Sequence, residues 1–271
     1  MSPGEGIRLG LKLQYDGSGF FGWQTQKRER TVQAELEAAA ARLTGERRTV
    51  LGAGRTDRGV HAIGQVGAVS VPPRWTPSEF RRAANAVLPR DIWVEEARRV
   101  PDDFHPRYDA ISRTYTYRIG LAEEAWSPFR RRWCWPLRGT LERRLLEDAA
   151  AQILGERSFA AFAKSGQPER GDRCHVLHAS WERWEDVGLV FTITANRYLH
   201  HMVRYLVGTM VDVARGRRPL SELTALLDRS PVELETSPPA PPQGLFLARV
   251  EYPEEIWPPF RPEPEHEALT P

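Results

Sequence analysis

The chain of 271 residues is long enough for one large or two modest domains. Its composition, 41% hydrophobic and 27% charged, is typical of a folded globular protein and excludes a collagen-like or wholly disordered chain. The first residues lack a basic segment followed by an apolar one, and no apolar run of about 18 residues occurs, so we expect a cytoplasmic protein that binds no membrane.

The charge is unevenly distributed along the chain. The net charge is +2, but the last 21 residues carry six acids and one arginine, which leaves +7 on residues 1–250. Of the 38 basic residues 35 are arginine, whose guanidinium group suits bidentate contacts to phosphate. This pattern favours a nucleic-acid partner, but it equally fits a protein whose solvated faces are simply rich in arginine.

The two cysteines, Cys134 and Cys174, have neither the number nor the spacing of a disulfide framework or a zinc site. We therefore expect both to be packing residues.

The first half of the chain predicts strands and capped helices. Alternation of apolar and polar residues predicts a strand over 7–15, and a second strand is predicted over 65–71. Helices are predicted over 31–45, where threonine begins and glycine ends the helix, and over 76–89, which opens with a capping box.

The second half predicts a similar mixture. Strands are expected over 114–121, 176–184, 189–194 and 245–250, and helices over 141–154, 199–214 and 223–227. Strict β-α-β alternation is absent, so we predict an α+β fold with two ferredoxin-like halves and mainly antiparallel sheets. The predicted units are 1–104, which carries the charged loop described next, 105–252, and a Pro/Glu-rich tail over 253–271.

The segment Gly54-Arg55-Thr56-Asp57-Arg58-Gly59 is the most informative loop of the sequence. Its glycines allow a tight turn and a close approach to a ligand, and Arg55 and Asp57 are spaced so that both can face one pocket. Taken alone, the loop is weak evidence for a site and is more typical of a surface turn with an ion pair. It is neither a P-loop nor a dinucleotide fingerprint.

Collinear motifs lie on both sides of this loop. In the first half they are Tyr15-Asp16-Gly17, Phe21-Gly22-Trp23-Gln24, Thr31-Val32-Gln33, Ala53 to Asp57, Gly59-Val60-His61, Gly64-Gln65-Val66, Asn85-Ala86, Leu88-Pro89 and Asp103-Phe104-His105. In the second half they are Arg113 to Tyr117, Phe159 to Phe162, Asn196, His200 to Arg204, Val207-Gly208 and Gly244 to Leu247. In this order and spacing the sequence resembles the tRNA pseudouridine synthase A family over about residues 7–252.

The resemblance implies a role for each matched residue. Asp57 is the expected nucleophile, and Arg204 its expected ion-pair partner. Tyr115 is the expected aromatic residue beside the flipped uracil, with its hydroxyl as a proton acceptor or relay. Arg55 is expected to hold the RNA at the target, and Leu245 to lie against the base.

The resemblance also implies the fold and the activity. The fold is the pseudouridine synthase fold, whose two halves flank a central RNA-binding cleft. The activity is isomerisation of uridine to pseudouridine in the anticodon stem-loop of tRNA, at positions 38, 39 and 40, by a homodimer. The reaction breaks the N1–C1′ bond and forms a C5–C1′ bond, so we expect no metal, redox or nucleotide cofactor. Attack at C1′ of the sugar or at C6 of the base remains open.

Two positions depart from the commoner family pattern. Arg58 stands where alanine usually follows the aspartate, and Tyr205 where a small polar residue often follows Val-Arg. Other arginines are candidates for phosphate contacts: Arg28, Arg30, Arg81, Arg82, Arg107, Arg113, Arg197, Arg217 and Arg218.

Alternative interpretations exist for the function and for the histidines. The rival functions are a catalytically silent RNA-binding protein or RNA chaperone on the same fold, and a hydrolase that uses Asp57 with His61. We expect His61 and His105 to shape loops through hydrogen bonds. His200 and His201 are adjacent on a predicted helix, where side chains point about 100° apart, so we expect no metal there.

Overall fold

The computed structural model describes residues 6–164, 171–227 and 234–257. Most of the predicted tail, residues 258–271, lies outside this description. Within the described ranges, no helix is long and apolar enough to cross a membrane.

The strands of the described chain form one continuous, mainly antiparallel sheet, ordered β4-β1-β3-β10-β5-β9-β8-β7, with β2 beside β3 and β6 beside β5. The strands are β1 (Ile7–Tyr15), β2 (Leu51–Gly52), β3 (His61–Val71), β4 (Ile92–Arg99), β5 (Ser112–Gly120), β6 (Trp135–Pro136), β7 (Gly155–Ser158), β8 (Arg173–Trp184), β9 (Gly188–Ala195) and β10 (Leu245–Glu251). The prediction of an α+β fold with antiparallel pairing is confirmed. The two halves nevertheless share a single sheet.

Strand β10 joins the two halves of the sheet. It pairs with β3 in parallel, where Phe246 lies opposite His61, and with β5 in antiparallel, where Leu247 lies opposite Tyr115. The sequence cannot reveal this pairing, because β10 is separated from β3 by more than 170 residues. The strands that carry or follow the matched motifs thereby meet at the centre of the sheet.

Five helices occur among the described residues: α1 (Val32–Thr44), α2 (Pro77–Val87), α3 (Arg143–Gln152), α4 (Met202–Ala214) and α5 (Leu220–Leu227). Helix α1 begins at the predicted cap, where the Thr31 side chain accepts a hydrogen bond from the Ala34 N–H group, and ends at Gly45 with φ of 80°. Helix α2 has the predicted capping box between Thr76 and Glu79. Local capping chemistry therefore sets these helix ends.

The structure differs from the predicted elements at several positions. Strand β4 was not predicted, because its alternation lapses at Glu95 and Glu96 and its register with β1 shifts between Lys12 and Leu13. Helix α4 begins at Met202, three residues later than predicted. The first residues of the predicted tail are packed, since the Trp257 ring covers Gly10, where an added Cβ would lie 2.4 Å from a ring atom.

The two cysteines are buried, as predicted for packing residues. Burial raises the pKa of each thiol to about 11, so both remain protonated at neutral pH.

Candidate active site

A cavity of about 950 Å³ opens where the Asp57 loop, strand β5 and the segment before α4 converge. Asp57, Arg55, Tyr115 and Leu245 all line it. Arg204 is not among the described lining residues, but it contacts Asp57 directly. The five residues expected to act together are therefore brought to one place.

Hydrogen bonds hold the backbone of the Asp57 loop. The Gln65 side chain donates to the Gly54 carbonyl (2.8 Å) and accepts from the Gly54 N–H group (3.3 Å). The Trp23 N–H group donates to the Thr56 carbonyl (3.0 Å), and the Thr56 hydroxyl bonds to the Tyr15 hydroxyl (2.8 Å). Buried groups thus fix the part of the loop that immediately precedes the aspartate.

Gly22, in the motif that precedes α1, allows that segment to approach the Asp57 loop closely. Its φ is 95°, and a Cβ added there would lie 2.6 Å from the Thr56 carbonyl oxygen. A larger residue at position 22 would displace the backbone one residue before Asp57.

The Asp57 carboxylate has three nitrogen neighbours. Arg204 Nη1 lies 3.5 Å from Oδ2, His201 Nε2 lies 3.3 Å from Oδ2, and His200 Nε2 lies 3.4 Å from Oδ1. Arg204 is itself anchored, because its Nε–H group donates to the Ala240 carbonyl (2.7 Å). The predicted contact between Arg204 and Asp57 is present.

The position of the two histidines corrects the sequence interpretation. They precede helix α4 rather than lying within it, and His201 has a left-handed backbone with φ of 65°. This turn directs both rings to Asp57, with ring centroids 4.1 Å apart. Burial lowers the pKa of His201 from its ordinary value, so its imidazole is neutral at pH 7.

The sequence analysis did not predict that both histidines contact Asp57, because the predicted α4 began three residues too early and included them. The available signal was the proximity of both histidines to Arg204 within one matched motif.

Tyr115 lies on β5 with only 8% of its surface exposed. Its ring meets the edge of the Tyr198 ring at a centroid distance of 4.9 Å. Burial, with smaller contributions from Tyr15 and the Asp57 carboxylate, raises the pKa of Tyr115 well above its ordinary range. Tyr115 therefore faces the cavity as a neutral phenol.

Leu245 and Arg55 differ in exposure. Leu245 opens strand β10 and is buried, so it contributes an apolar patch to the cavity wall. Arg55 is exposed on the loop. In the part of the chain that the structure describes, neither Arg55 nor its neighbour Arg58 forms an ion pair with a carboxylate, but the Arg58 guanidinium stacks on Phe21 at 4.1 Å.

Several of the candidate arginines for phosphate contacts are held by other groups of the protein, and several line the cavity. Arg30 is held by Asp91 through two hydrogen bonds of 2.6 and 2.8 Å, and Arg113 is directed to backbone carbonyls, including that of Ala53 (3.2 Å). Arg217 and Arg218 pair with acids on or near α4 and α5. Arg107 and Arg197 line the cavity, as does Arg113.

His61 is fully engaged away from Asp57. Its Nδ1 accepts from the Gly17 N–H group (3.0 Å), its Nε2 lies 3.1 Å from the Arg132 carbonyl, and its ring stacks on Phe246. His105 Nδ1 likewise accepts from the Arg107 N–H group (3.1 Å). Both histidines shape loops, as predicted, and His61 does not serve Asp57 as the hydrolase alternative requires.

Comparison with known proteins decides the family. A family model described as tRNA pseudouridine synthase matches residues 13–109 and 149–253. The chain belongs to the tRNA pseudouridine synthase family. The matched segments contain Asp57, Arg204 and Leu245, whereas Tyr115 lies between them and owes its place in the cavity to β5.

Individual relatives of this family align over most of the chain. The tRNA pseudouridine synthase A of Syntrophomonas wolfei is 38% identical over 92% of this chain and 98% of its own length. The protein of that name from Bordetella petrii is 40% identical, covering 92% of each chain. That from Methylococcus capsulatus is 38% identical over 92% of this chain and 91% of its own.

Proposed function

We propose that the protein isomerises uridine to pseudouridine in tRNA, with Asp57 as the nucleophile. One observation carries the proposal. Among the described residues that line the cavity, Asp57 is the one carboxylate, and six are arginine or lysine. A single anionic nucleophile among cations suits a reaction on a polyanion.

The residues around Asp57 support this chemistry. Arg204 places a cation 3.5 Å from the carboxylate, in a partly buried site. Asp57 attacks C1′ or adds to C6, and the N1–C1′ bond breaks. The uracil rotates, C5 joins C1′, the bond to Asp57 breaks, the C5 proton passes to solvent, and N1 takes up a proton. Every heavy atom of the product comes from the substrate and the one hydrogen lost is replaced from solvent, so the reaction consumes no oxidant or group donor.

The cavity also suits a base that has left its stack. Flipping a nucleotide costs a few kcal/mol, which contacts to the base and to phosphates must offset. Tyr115 and Leu245 provide an aromatic and an apolar surface within the cavity. Arg55, Arg58 and Arg107 add positive charge along its lining.

Three finer points belong to the same proposal. The substrate is the anticodon stem-loop, with uridines at positions 38, 39 and 40 as targets; the enzyme is a cytoplasmic homodimer; and one tRNA crosses both subunits. The family resemblance supports each of these. Mapping pseudouridine across all tRNAs of a deletion strain tests the target positions, and light scattering tests the dimer.

The nucleophile is tested with Asp57→Asn. Because the amide keeps the shape but lacks the anion, we expect release of tritium from tRNA labelled at uridine C5 to fall by at least about a thousandfold. Binding of tRNA should persist. Asp186→Asn is the matched control, since Asp186 is fully exposed in the turn between β8 and β9.

An Asp57→Asn rate within about tenfold of the unmutated enzyme, with deamidation excluded by mass spectrometry, contradicts the assignment. An unmutated protein that binds tRNA and forms no pseudouridine is instead the silent RNA-binding alternative.

A further inference from the structure

We propose that Asp57, His200 and His201 form a binding site for a divalent transition-metal ion, of which zinc is the type, and that an ion bound there inhibits the enzyme. The binding is independent of the reaction. The inhibitory part rests on the proposed function, because it uses the same carboxylate.

The distances between the three ligand atoms suit a tetrahedral ion. Each histidine Nε2 lies 3.3 or 3.4 Å from an oxygen of Asp57, and all three ligand atoms lie within 4.8 Å of one another. A tetrahedral zinc ion with bonds of about 2.0–2.2 Å separates its ligands by roughly 3.4 Å. Small side-chain rotations would therefore place an ion between these atoms.

The chemistry of the ligands selects the metal. Two imidazole nitrogens and one carboxylate oxygen suit zinc, cobalt, nickel or copper, whereas Mg²⁺ prefers oxygen ligands and retains its water. The magnesium that supports tRNA folding would therefore not occupy the site. Three protein ligands leave the fourth position open, and all three residues line the cavity.

Two features determine how strongly the site binds an ion. The left-handed backbone of His201 directs its ring to Asp57, so both histidines are already positioned in the free protein. Arg204 lies 3.5 Å from Asp57 Oδ2, and its charge opposes a second cation. We therefore expect weaker binding than at a closed structural zinc site, so that a chelator removes the ion.

An ion bound at this site would reduce catalysis, because it would use the carboxylate lone pairs of Asp57. A carboxylate that donates electrons to a metal is a poorer nucleophile, and an ion in the cavity occupies space that the uridine needs. Metal binding should therefore compete with tRNA.

Cobalt tests the site without reference to activity. Untagged protein is titrated with Co²⁺, and a tetrahedral site produces visible absorption bands that saturate at one equivalent. His200→Ala and His201→Ala should each weaken the binding about 100-fold or more, since loss even of an outer partner of a ligand costs up to that factor. The matched control is His175→Ala, an exposed histidine on β8. Circular dichroism verifies folding of each variant.

Activity is then measured with zinc at constant Mg²⁺. We expect zinc to stop tritium release, EDTA to restore it, and His200→Ala, compared with its own metal-free rate, to require about 100-fold more zinc. Cobalt bands that survive both histidine variants, or full activity of the zinc-saturated enzyme, would overturn the proposal. Absence of activity in every metal-free sample instead refutes the proposed function and leaves the cobalt result interpretable.

Discussion

At the scale of single residues, the surroundings of Tyr115 constrain how its hydroxyl can act. Its pKa is raised, mainly because the ring is buried, so the phenol stays protonated throughout the physiological range. A free phenolate base is therefore excluded near neutral pH. A neutral hydroxyl can still accept a proton while passing on its own, and the ring can stack on uracil.

Tyr115→Phe separates these two roles. The variant keeps the ring and loses the hydroxyl, so we expect kcat to fall about 100-fold or more with little change in KM. Single-turnover measurement of tritium release gives the chemical rate. Tyr117→Phe is the control, because Tyr117 lies two residues along β5 and its hydroxyl donates to the Pro241 carbonyl (2.7 Å) outside the cavity.

Equal rates for the two phenylalanine variants would remove the proton role and leave stacking alone. A rate of the unmutated enzyme that rises with pH in step with phenolate formation below about pH 10 would contradict the neutral phenol.

At the scale of helices and strands, the sequence predicted correctly those features that depend on interactions between residues close together in the chain. The caps of α1 and α2 and the alternation of β1 depend on neighbours in sequence, and all three were predicted. Strand β4 owes its place to pairing with β1, across a register shift, and no pattern within it marks that pairing. Only long-range pairing inserts β10 between β3 and β5.

The same distinction holds for the site. The resemblance named five residues: Asp57, Tyr115, Arg204, Arg55 and Leu245. The structure places four of them in the lining of one cavity and brings Arg204 into contact with Asp57. The histidines were misinterpreted because periodicity cannot show that His201 has a left-handed backbone. Side-chain partners such as Asp91 for Arg30 are equally invisible in sequence.

Helix α4 links packing to the active site through Gly208. A Cβ added there would lie 2.2 Å from the Pro238 carbonyl oxygen, in the segment whose Ala240 carbonyl holds Arg204. We expect Gly208→Ala to lower the free energy of unfolding by about 1–3 kcal/mol, because the clash exceeds the gain of about 1 kcal/mol in helix propensity. Loss of the Arg204 anchor should also lower kcat.

Urea unfolding and steady-state kinetics measure the two effects of Gly208→Ala. Asp212→Asn on the same helix is the control, since it removes only a surface ion pair with Arg217 and should change stability by less than about 1 kcal/mol. An alanine variant at least as stable as the unmutated protein would show that the segment moves freely away from α4.

At the scale of the whole molecule, buried tyrosines determine the response to alkaline pH. Burial raises the pKa of five of the seven tyrosines above the ordinary value: Tyr15 (to about 12), Tyr115, Tyr117, Tyr198 and Tyr252. The unfolded chain ionises these groups near pH 10, whereas the folded protein keeps their protons. Their contribution to stability is thus complete below pH 10 and lost as pH rises towards the folded pKa values.

We therefore expect the free energy of unfolding to fall steeply above pH 10, by up to about 1.4 kcal/mol per pH unit for each such tyrosine. Urea unfolding at successive pH values measures this, and absorbance at 295 nm follows ionisation. Tyr252→Phe, which removes a hydroxyl bonded to the Pro106 carbonyl, should make the slope shallower. An unfolding midpoint unchanged between pH 9 and 11 would contradict the argument.

The cationic residues that line the cavity determine how salt affects tRNA binding. If arginines along the cavity neutralise phosphates, log K for tRNA falls linearly with log salt, by about 0.7–0.9 for each phosphate contacted. Arg58 is the informative residue, because its side chain is exposed and its guanidinium lies on Phe21 at the cavity. We expect Arg58→Ala to reduce the magnitude of the slope by about one.

Arg143→Ala supplies the control for Arg58→Ala. It removes the same charge from the protein, but Arg143 pairs with Glu147 on α3 and does not line the cavity. If general charge attraction governs binding, the two variants alter the salt dependence equally. If Arg58 contacts a phosphate, only its own variant changes the slope, and the effect should be similar for every tRNA that the enzyme binds, since a phosphate contact carries no direct sequence information. Equal slopes for both variants and the unmutated protein would place the RNA backbone on another surface.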